Sequence, residues 1–210
     1  HSDLSDLPYR EYWTGVVFNG AKIGFSHFTI SPSEAHFGRF DIRSEAALRI
    51  RFLMFDKHIN MKSYDQVAAD LSLERFSYEY DFDGNRMKLI GQVIDDTLEV
   101  EILTRGNTDR QEIPLVDKIY PLSIINFYPV IHGLEMGRKY TYEVYNGETQ
   151  TVSSVSQEVL AYEESDLFTG AAYKIKTHLH GQEVSMWIDQ FGRPVLEMSF
   201  GGILISALED

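Results

Sequence analysis

The chain has 210 residues, 43% of them apolar and 24% charged, so it is long enough to bury a core and ordinary for a globular protein. Its net charge of −13 argues against a nucleic-acid partner, because neutralising phosphates takes clustered Lys and Arg, and it disfavours adsorption to an anionic membrane. With no cysteine, the chain holds no disulfide, thiolate nucleophile or zinc–thiolate site, and no apolar run reaches the roughly 18 residues of a membrane-spanning helix.

Twelve Tyr and thirteen Phe against six Pro favour pleated surfaces. After a polar lead-in from Leu4 to Pro8, Glu11 to Ile30 reads as a β-hairpin, with Tyr12, Thr14, Val16 and Phe18 alternating up to Asn19-Gly20. Phe40 to Phe55 is a second β-like region with local helical character at Glu45 to Leu48. Met61 to Arg75 permits two readings. Ser63 and Gln66 form a capping-box pattern ahead of a short helix over Val67 to Leu71, or two strands join near Asp70-Leu71-Ser72; we favour the strands.

Phe76, Tyr78, Tyr80 and Phe82 alternate with polar residues, the pattern of a half-buried strand. Asp83-Gly84-Asn85 and Asp95-Asp96 turn the meander, Gly106 to Gln111 reads as a polar turn, and Pro114 marks Glu112 to Leu115 as an edge piece. Pro121 to His132 is the best helix candidate, with Pro121 suited to its first position and Pro129 limiting its length. Strand patterns resume from Tyr140 to Tyr145, Thr149 to Tyr162 and Ala171 to His180. The last stretch, Val184 to Leu208, reads as three antiparallel strands, with Val184, Met186 and Ile188 on one face and a turn over Asp189 to Gly192. A last strand from Ile203 to Ser206, after Gly201-Gly202, is expected to lead out of the domain. The expected fold is all-β and mainly antiparallel: a single curved sheet or open half-barrel of about ten to twelve strands around one short helix, spanning residues 1–210 as one domain.

Candidate chemistry is sparse. His178 and His180 have a spacing that can bind zinc, but Lys174 and Lys176 share their face, so a solvated strand face is the better account. Asp81 to Asn85 has its Gly too early for a calcium loop and reads as a hairpin turn. Ser26 and His27 are strand neighbours and point to opposite faces, so they do not form a triad. Phosphate-cradling, dinucleotide and nucleophile-elbow patterns are missing. Phe76, Tyr78, Tyr80 and Phe82, with Phe127 and Tyr128, are candidates for lining an apolar groove; their alternative role is the core of a β-domain.

Tyr12-Trp13-Thr14-Gly15, the turn at Gly20 and Lys22-Ile23-Gly24-Phe25-Ser26-His27 resemble the opening of an exported bacterial domain that precedes the catalytic core of transglutaminase-like cysteine proteins. Gly91-Gln92-Val93, Ile113-Pro114-Leu115, Gly133 to Gly137 with Tyr140-Thr141-Tyr142, and Trp187-Ile188-Asp189 with Gly192-Arg193 match further motifs of that domain in order. A related group of uncharacterised periplasmic proteins shares the ending and looks like the open β-barrels of lipoprotein carriers. Trp13, Gly15, Gly20, Gly24, Trp187, Asp189 and Gly192 are then structural positions of the motifs. The cysteine–histidine–aspartate core of the longer proteins is missing, so no activity transfers with the resemblance.

The resemblance implies a non-catalytic, extracytoplasmic, periplasmic accessory domain, the N-terminal part of a longer protein, contacting a protein or peptide partner or its own downstream domain. Any signal peptide is outside this chain, which shows no basic n-region or apolar h-region. The other expectation is a stand-alone periplasmic binder of an apolar ligand such as a lipid, held in the half-barrel groove. Neither expectation involves a cofactor, a metal, a nucleic acid or an integral membrane segment.

Overall fold

Tight turns between alternating runs set the architecture. Asn19 and Gly20 adopt φ of 47° and 77°, the left-handed pair of a type I′ turn, which matches the twist of the two strands it joins. The same device recurs at Asp83-Gly84 and His180-Gly181. The computed structural model describes residues 4, 7, 10–52, 55–199, 202 and 204–209, and for residues 52 and 55 the backbone alone. The lead-in over Leu4 to Pro8 is described only at Leu4 and Leu7, and Gly201 and Ile203 of the last stretch lie outside the described residues.

The strands are β1 (Glu11–Phe18), β2 (Ala21–Pro32), β3 (Arg39–Phe52), β4 (Phe55–Ala68), β5 (Leu73–Phe82), β6 (Asn85–Ile94), β7 (Thr97–Thr104), β8 (Asn107–Pro114) and β9 (Ile119–Pro121). A 3-10 turn at Leu122–Ile124 and helix α1 (Phe127–His132) follow. Then come β10 (Lys139–Asn146), β11 (Thr151–Glu164), β12 (Ala171–Leu179), β13 (Gln182–Ile188), β14 (Pro194–Ser199) and β15 (Leu204–Glu209).

All belong to one sheet, ordered β8-β7-β6-β5-β4-β3-β2-β1-β15-β14-β13-β12-β11-β10-β9 and antiparallel except where β9 lies beside β10. The two edges, β8 and β9, are consecutive in the chain and are not paired with each other, so the sheet rolls up without closing. The all-β, open architecture with one short helix is as the sequence predicts. The described strands number fifteen rather than ten to twelve, and residues 107–111, expected as a turn, are the first part of β8 after a turn at Arg105-Gly106.

Four local expectations change. The Asn107–Pro114 segment is a strand despite its polar side chains, because β7 supplies a ladder from Thr97↔Pro114 to Thr104↔Asn107. Glu45 to Leu48 is strand, held between β2 and β4, where sheet pairing overrides helical propensity. Pro121 ends β9 in an extended conformation, and α1 starts six residues later at Phe127. Finally, β15 does not lead away: it turns back and pairs with β1, Val16 opposite Ser206 and Trp13 opposite Glu209.

Residues 61–75 are two strands with a turn between them. Asp70 Oδ1 accepts hydrogen bonds from Ser72 N at 3.1 Å and Ser72 Oγ at 2.6 Å, which fixes the turn and lets Leu71 adopt a φ of 71°. Gln66 makes no helix cap; its Nε2 lies 3.2 Å from Ser33 Oγ, His36 Nδ1 and Asp41 Oδ1.

Rolling the sheet buries its concave face against itself. Phe28, Ile30, Phe40, Ile42 and Val67 from β2–β4 meet Tyr142, Val144, Val155, Val159 and Ile175 from β10–β12, with Ile124, Phe127 and Val130 wedged between them. A second cluster joins Phe76, Tyr78, Leu89, Val100 and Ile102 from β5–β7 to Ile119 and Tyr145 from β9 and β10. A third, around Ala172, Trp187 and Leu196, lies on β12–β14. Each buried aromatic or branched side chain contributes about 1.5–3 kcal/mol through removal of its surface from water.

Candidate functional site

The concave face is packed along one part of each strand and open along the rest. On β2, the inward positions run Gly24, Ser26, Phe28, Ile30; on β3 they run Leu48, Ala46, Ser44, Ile42, Phe40. The large residues Phe28, Ile30, Phe40 and Ile42 are buried, while Gly24, Ser26, Ser44, Ala46 and Leu48 keep half-buried surface. Gly24, Ser26, Ser44 and Ala46 are small, so these positions do not fill the concave face as Phe28, Ile30, Phe40 and Ile42 do.

Register aligns such half-buried positions across the sheet. One row of cross-strand neighbours runs Glu197, Ser206, Val16, Gly24, Leu48, Ile59, Phe82 across seven strands. The next runs Leu208, Thr14, Ser26, Ala46, Met61, Tyr80, Met87. All are half-buried except Thr14, which is buried, and Phe82, which is exposed. Thr14 and Ser26 satisfy each other through hydroxyls 2.5 Å apart. The rows reach a cavity of about 1080 Å³ at the rim, bordered by Tyr80, Phe82, Met87 and Leu103 and by Lys62, Glu79, Arg86, Lys88 and Arg105. Lys88 pairs with Glu79 at 2.9 Å and Lys62 with Glu45 at 3.2 Å, in a ladder across the rim.

The six predicted groove residues separate. Phe76, 2% exposed, and Tyr78 pack in the second core cluster, where Phe76 stacks on Tyr145 at 5.0 Å. Gly147 closes over Tyr78 and Tyr80: a Cβ there would lie 2.5 Å from the Tyr78 ring and 2.6 Å from the Tyr80 hydroxyl. Tyr80 and Phe82 alone of the six border the rim cavity. Phe127 stacks on Phe28 at 5.4 Å in the first cluster. Tyr128 stacks on Tyr142 at 3.9 Å and meets Tyr120 edge-on, beneath His132. Burial, reinforced by Arg138, lowers the His132 pKa, which keeps that ring neutral. Sequence reasoning missed Gly24, Ser26, Ala46 and Ser206, whose signal is the switch from small to large residues at inward positions along a strand.

Among the described residues, Asp65 and Glu197 are carboxyl groups on the concave side. Asp65 is 1% exposed and accepts from Tyr78 Oη at 2.5 Å and Ser123 Oγ at 2.6 Å. Burial raises its pKa to about 6, against the opposing effect of those two donors. Glu197 is raised as well, by burial, although it keeps accessible surface, as a side chain facing a hollow does.

The motif positions make contacts within the sheet and with α1. Trp13 stacks on His27 at 4.0 Å on the outer face, and His27 meets Glu11 at 2.7 Å. A Cβ on Gly15 would meet the Glu209 carboxylate at 2.4 Å, and one on Gly24 the Ala47 carbonyl at 2.0 Å. Trp187 Nε1 donates to Glu163 at 2.8 Å. Asp189 organises the β13–β14 turn, and Gly192 sits against Phe127 and Val130 of α1. His178 is exposed beside Glu183, whereas His180 occupies a turn between Asn146 and Ser153, so the two do not converge. Among the described residues no group of three His, Asp or Glu is placed to hold a metal ion. No helix among them is long and apolar enough to cross a membrane.

The sequence matches no family model and no curated protein. Among solved structures, a β-barrel-like protein of the domain of unknown function DUF1849 from Brucella abortus aligns with a TM-score of 0.70 at 9% identity, over 95% of each chain. A DUF1089 family protein from Pseudomonas aeruginosa aligns with a TM-score of 0.44 at 14% identity, over 81% of this chain and 87% of that one. These comparisons bring no transglutaminase-like link. The chain therefore shares its fold, though not a demonstrated function, with a β-barrel-like domain.

Proposed function

We propose that this chain is a non-catalytic binding domain for an apolar or amphiphilic small molecule held along the concave face of the sheet. The observation that carries this reading is the pair of half-buried rows through Val16, Gly24, Leu48 and Ile59 and through Ser26, Ala46 and Met61. A fully packed barrel would bury those inward positions; here Gly24, Ser26 and Ala46 are small, and the apolar side chains beside them keep contact with solvent. Exposing such a surface costs about 25 cal/mol per Å², and a hydrocarbon chain that covers it recovers that free energy.

The test is uptake of an environment-sensitive fluorescent long-chain probe, with native mass spectrometry of the purified protein beside it. The wild type takes up the probe, and Ala46→Trp, which fills the hollow, abolishes uptake while far-UV circular dichroism stays unchanged. No uptake by the wild type, or equal uptake by a folded Ala46→Trp, overturns the reading.

A second reading, contact with a protein or peptide partner as an extracytoplasmic accessory domain, is supported by the outer face. Trp13 and Phe25 are 43% and 40% exposed, with rings 5.5 Å apart, beside the partly buried Met198, Ile205 and Ala207 of β14 and β15. Crosslinking from position 25 in the full-length protein tests it: a crosslink to a neighbouring domain or partner supports it, and crosslinks indistinguishable from a site on β8 remove its support.

A further inference from the structure

Glu197 stands out on the concave face because it is the charged member of its row. Its cross-strand neighbours are Met186, which is buried, and Ser206. It has no hydrogen bond or ion pair among the described residues. The contrast is Asp65, the other carboxylate facing inward, which receives two hydroxyl donors. Lys57 is on the same side of the sheet by register, but it stands at the far end of β4 and is held by Asp83 at 2.5 Å. Tyr12, the titratable group nearest in effect, packs on Phe28 at 4.7 Å and is kept neutral by burial.

A carboxylate partly withdrawn from water without a partner carries a cost, and a donor brought by a ligand removes it. We propose that Glu197 is the specificity-determining residue of the groove, favouring amphiphiles whose head group donates a hydrogen bond or carries positive charge, long-chain alcohols and amines, over carboxylates of the same chain length. A fatty carboxylate would stand beside a like charge in a low-dielectric hollow, whereas an ammonium or hydroxyl gives Glu197 the partner the fold withholds. Burial, which raises the carboxyl above its usual range, fits a group awaiting such a partner. The inference rests on the groove reading above.

The experiment measures displacement of the fluorescent probe by tetradecanol, tetradecylamine and myristate at about pH 8, where a free carboxylate is ionised. The wild type is expected to bind the amine and the alcohol at least about tenfold more tightly than myristate, and Glu197→Gln to narrow the amine-to-myristate gap to about threefold or less. Glu197→Gln keeps the shape of the side chain and removes its charge, so it is expected to fold, and circular dichroism confirms that. If all three ligands bind equally, or Glu197→Gln leaves the ranking unchanged, the role of Glu197 is overturned while the groove reading stands. If none of the three displaces the probe, and the probe itself does not bind, both readings fall together.

Discussion

Tyr78 donates its phenolic hydroxyl to Asp65 at 2.5 Å, tying adjacent strands β5 and β4 together inside the rolled sheet. Ser123 on the 3-10 turn supplies the second donor at 2.6 Å, so the pair also anchors the segment leading into α1. Asp65 has a folded-state pKa of about 6 against an ordinary value of 3.8. Between about pH 4 and 6 the folded chain therefore holds a proton that the unfolded chain has released. Unfolding free energy falls as pH rises through that window and is flat, as far as Asp65 is concerned, on either side. The full effect is about 3 kcal/mol. Urea midpoints measured across the window are expected to drop with rising pH in the wild type and to change much less in Asp65→Asn. An identical slope in both proteins would show that Asp65 does not titrate from a buried site.

The same contact can be dissected from its other side. Tyr78→Phe keeps the ring stacked on Phe76, 4.4 Å away, and removes only the donor. Loss of a hydrogen bond to a charged, buried acceptor costs about 1.5–3 kcal/mol at neutral pH, and less at pH 4, where Asp65 is neutral. Because the two residues share one interaction, the double variant Asp65→Asn/Tyr78→Phe is expected to lose less than the sum of the singles. Strict additivity would mean that the hydroxyl and the carboxylate act independently.

Gly91 lies directly across the ladder from Phe76, and a Cβ there would come within 2.2 Å of the Phe76 ring. The ring itself is boxed in by Tyr78 and Tyr145. Gly91→Ala is therefore expected to destabilise by about 1–3 kcal/mol through overpacking, and a Phe76→Leu background should recover part of that loss. Thermal midpoints of the two singles and the double decide it; a neutral Gly91→Ala would mean that the ring has room to move.

How far the sequence reveals this arrangement depends on the range of the contact. The hairpins at Asn19-Gly20 and Asp83-Gly84 are legible because each is settled by two residues with a φ requirement. The alternation of Phe76, Tyr78, Tyr80 and Phe82 reveals a strand with one buried face, but what covers that face, Tyr145 and Gly147 of the β10–β11 hairpin, is more than sixty residues away. Local patterning does not specify which faces meet when a sheet rolls, and so the aromatic stripe reads equally as groove lining or as core. The half-buried rows left their trace in small residues at alternate positions, Gly24 and Ser26 on β2 and Ala46 on β3. That pattern acquires meaning only once the pairing of the two strands is known. The polar run Asn107–Gln111 shows the converse: an edge strand needs a partner ladder more than it needs an apolar face.

The Trp187 to Arg193 motif supplies a last test, because Asp189 holds a turn within it. Asp189 Oδ1 accepts from the backbone N–H of Phe191 at 2.9 Å and of Arg193 at 3.0 Å, while Oδ2 accepts from Arg193 Nε at 3.0 Å. This holds Gly192 at a φ of 86°, where its bare Cα lets Phe127 and Val130 of α1 approach. The carboxylate thus couples the β13–β14 turn to the helix that fills the packed end of the sheet. Asp189→Ala removes both backbone acceptor contacts and is expected to cost about 1–2 kcal/mol. Asp189→Asn keeps an acceptor for the two N–H groups and loses only the charge opposite Arg193, which on a partly exposed pair is worth about 1 kcal/mol or less. The ordering of the two variants in urea unfolding is therefore the diagnostic. If Asn is as damaging as Ala, the ion pair with Arg193, rather than the acceptor role at the turn, is what this aspartate contributes.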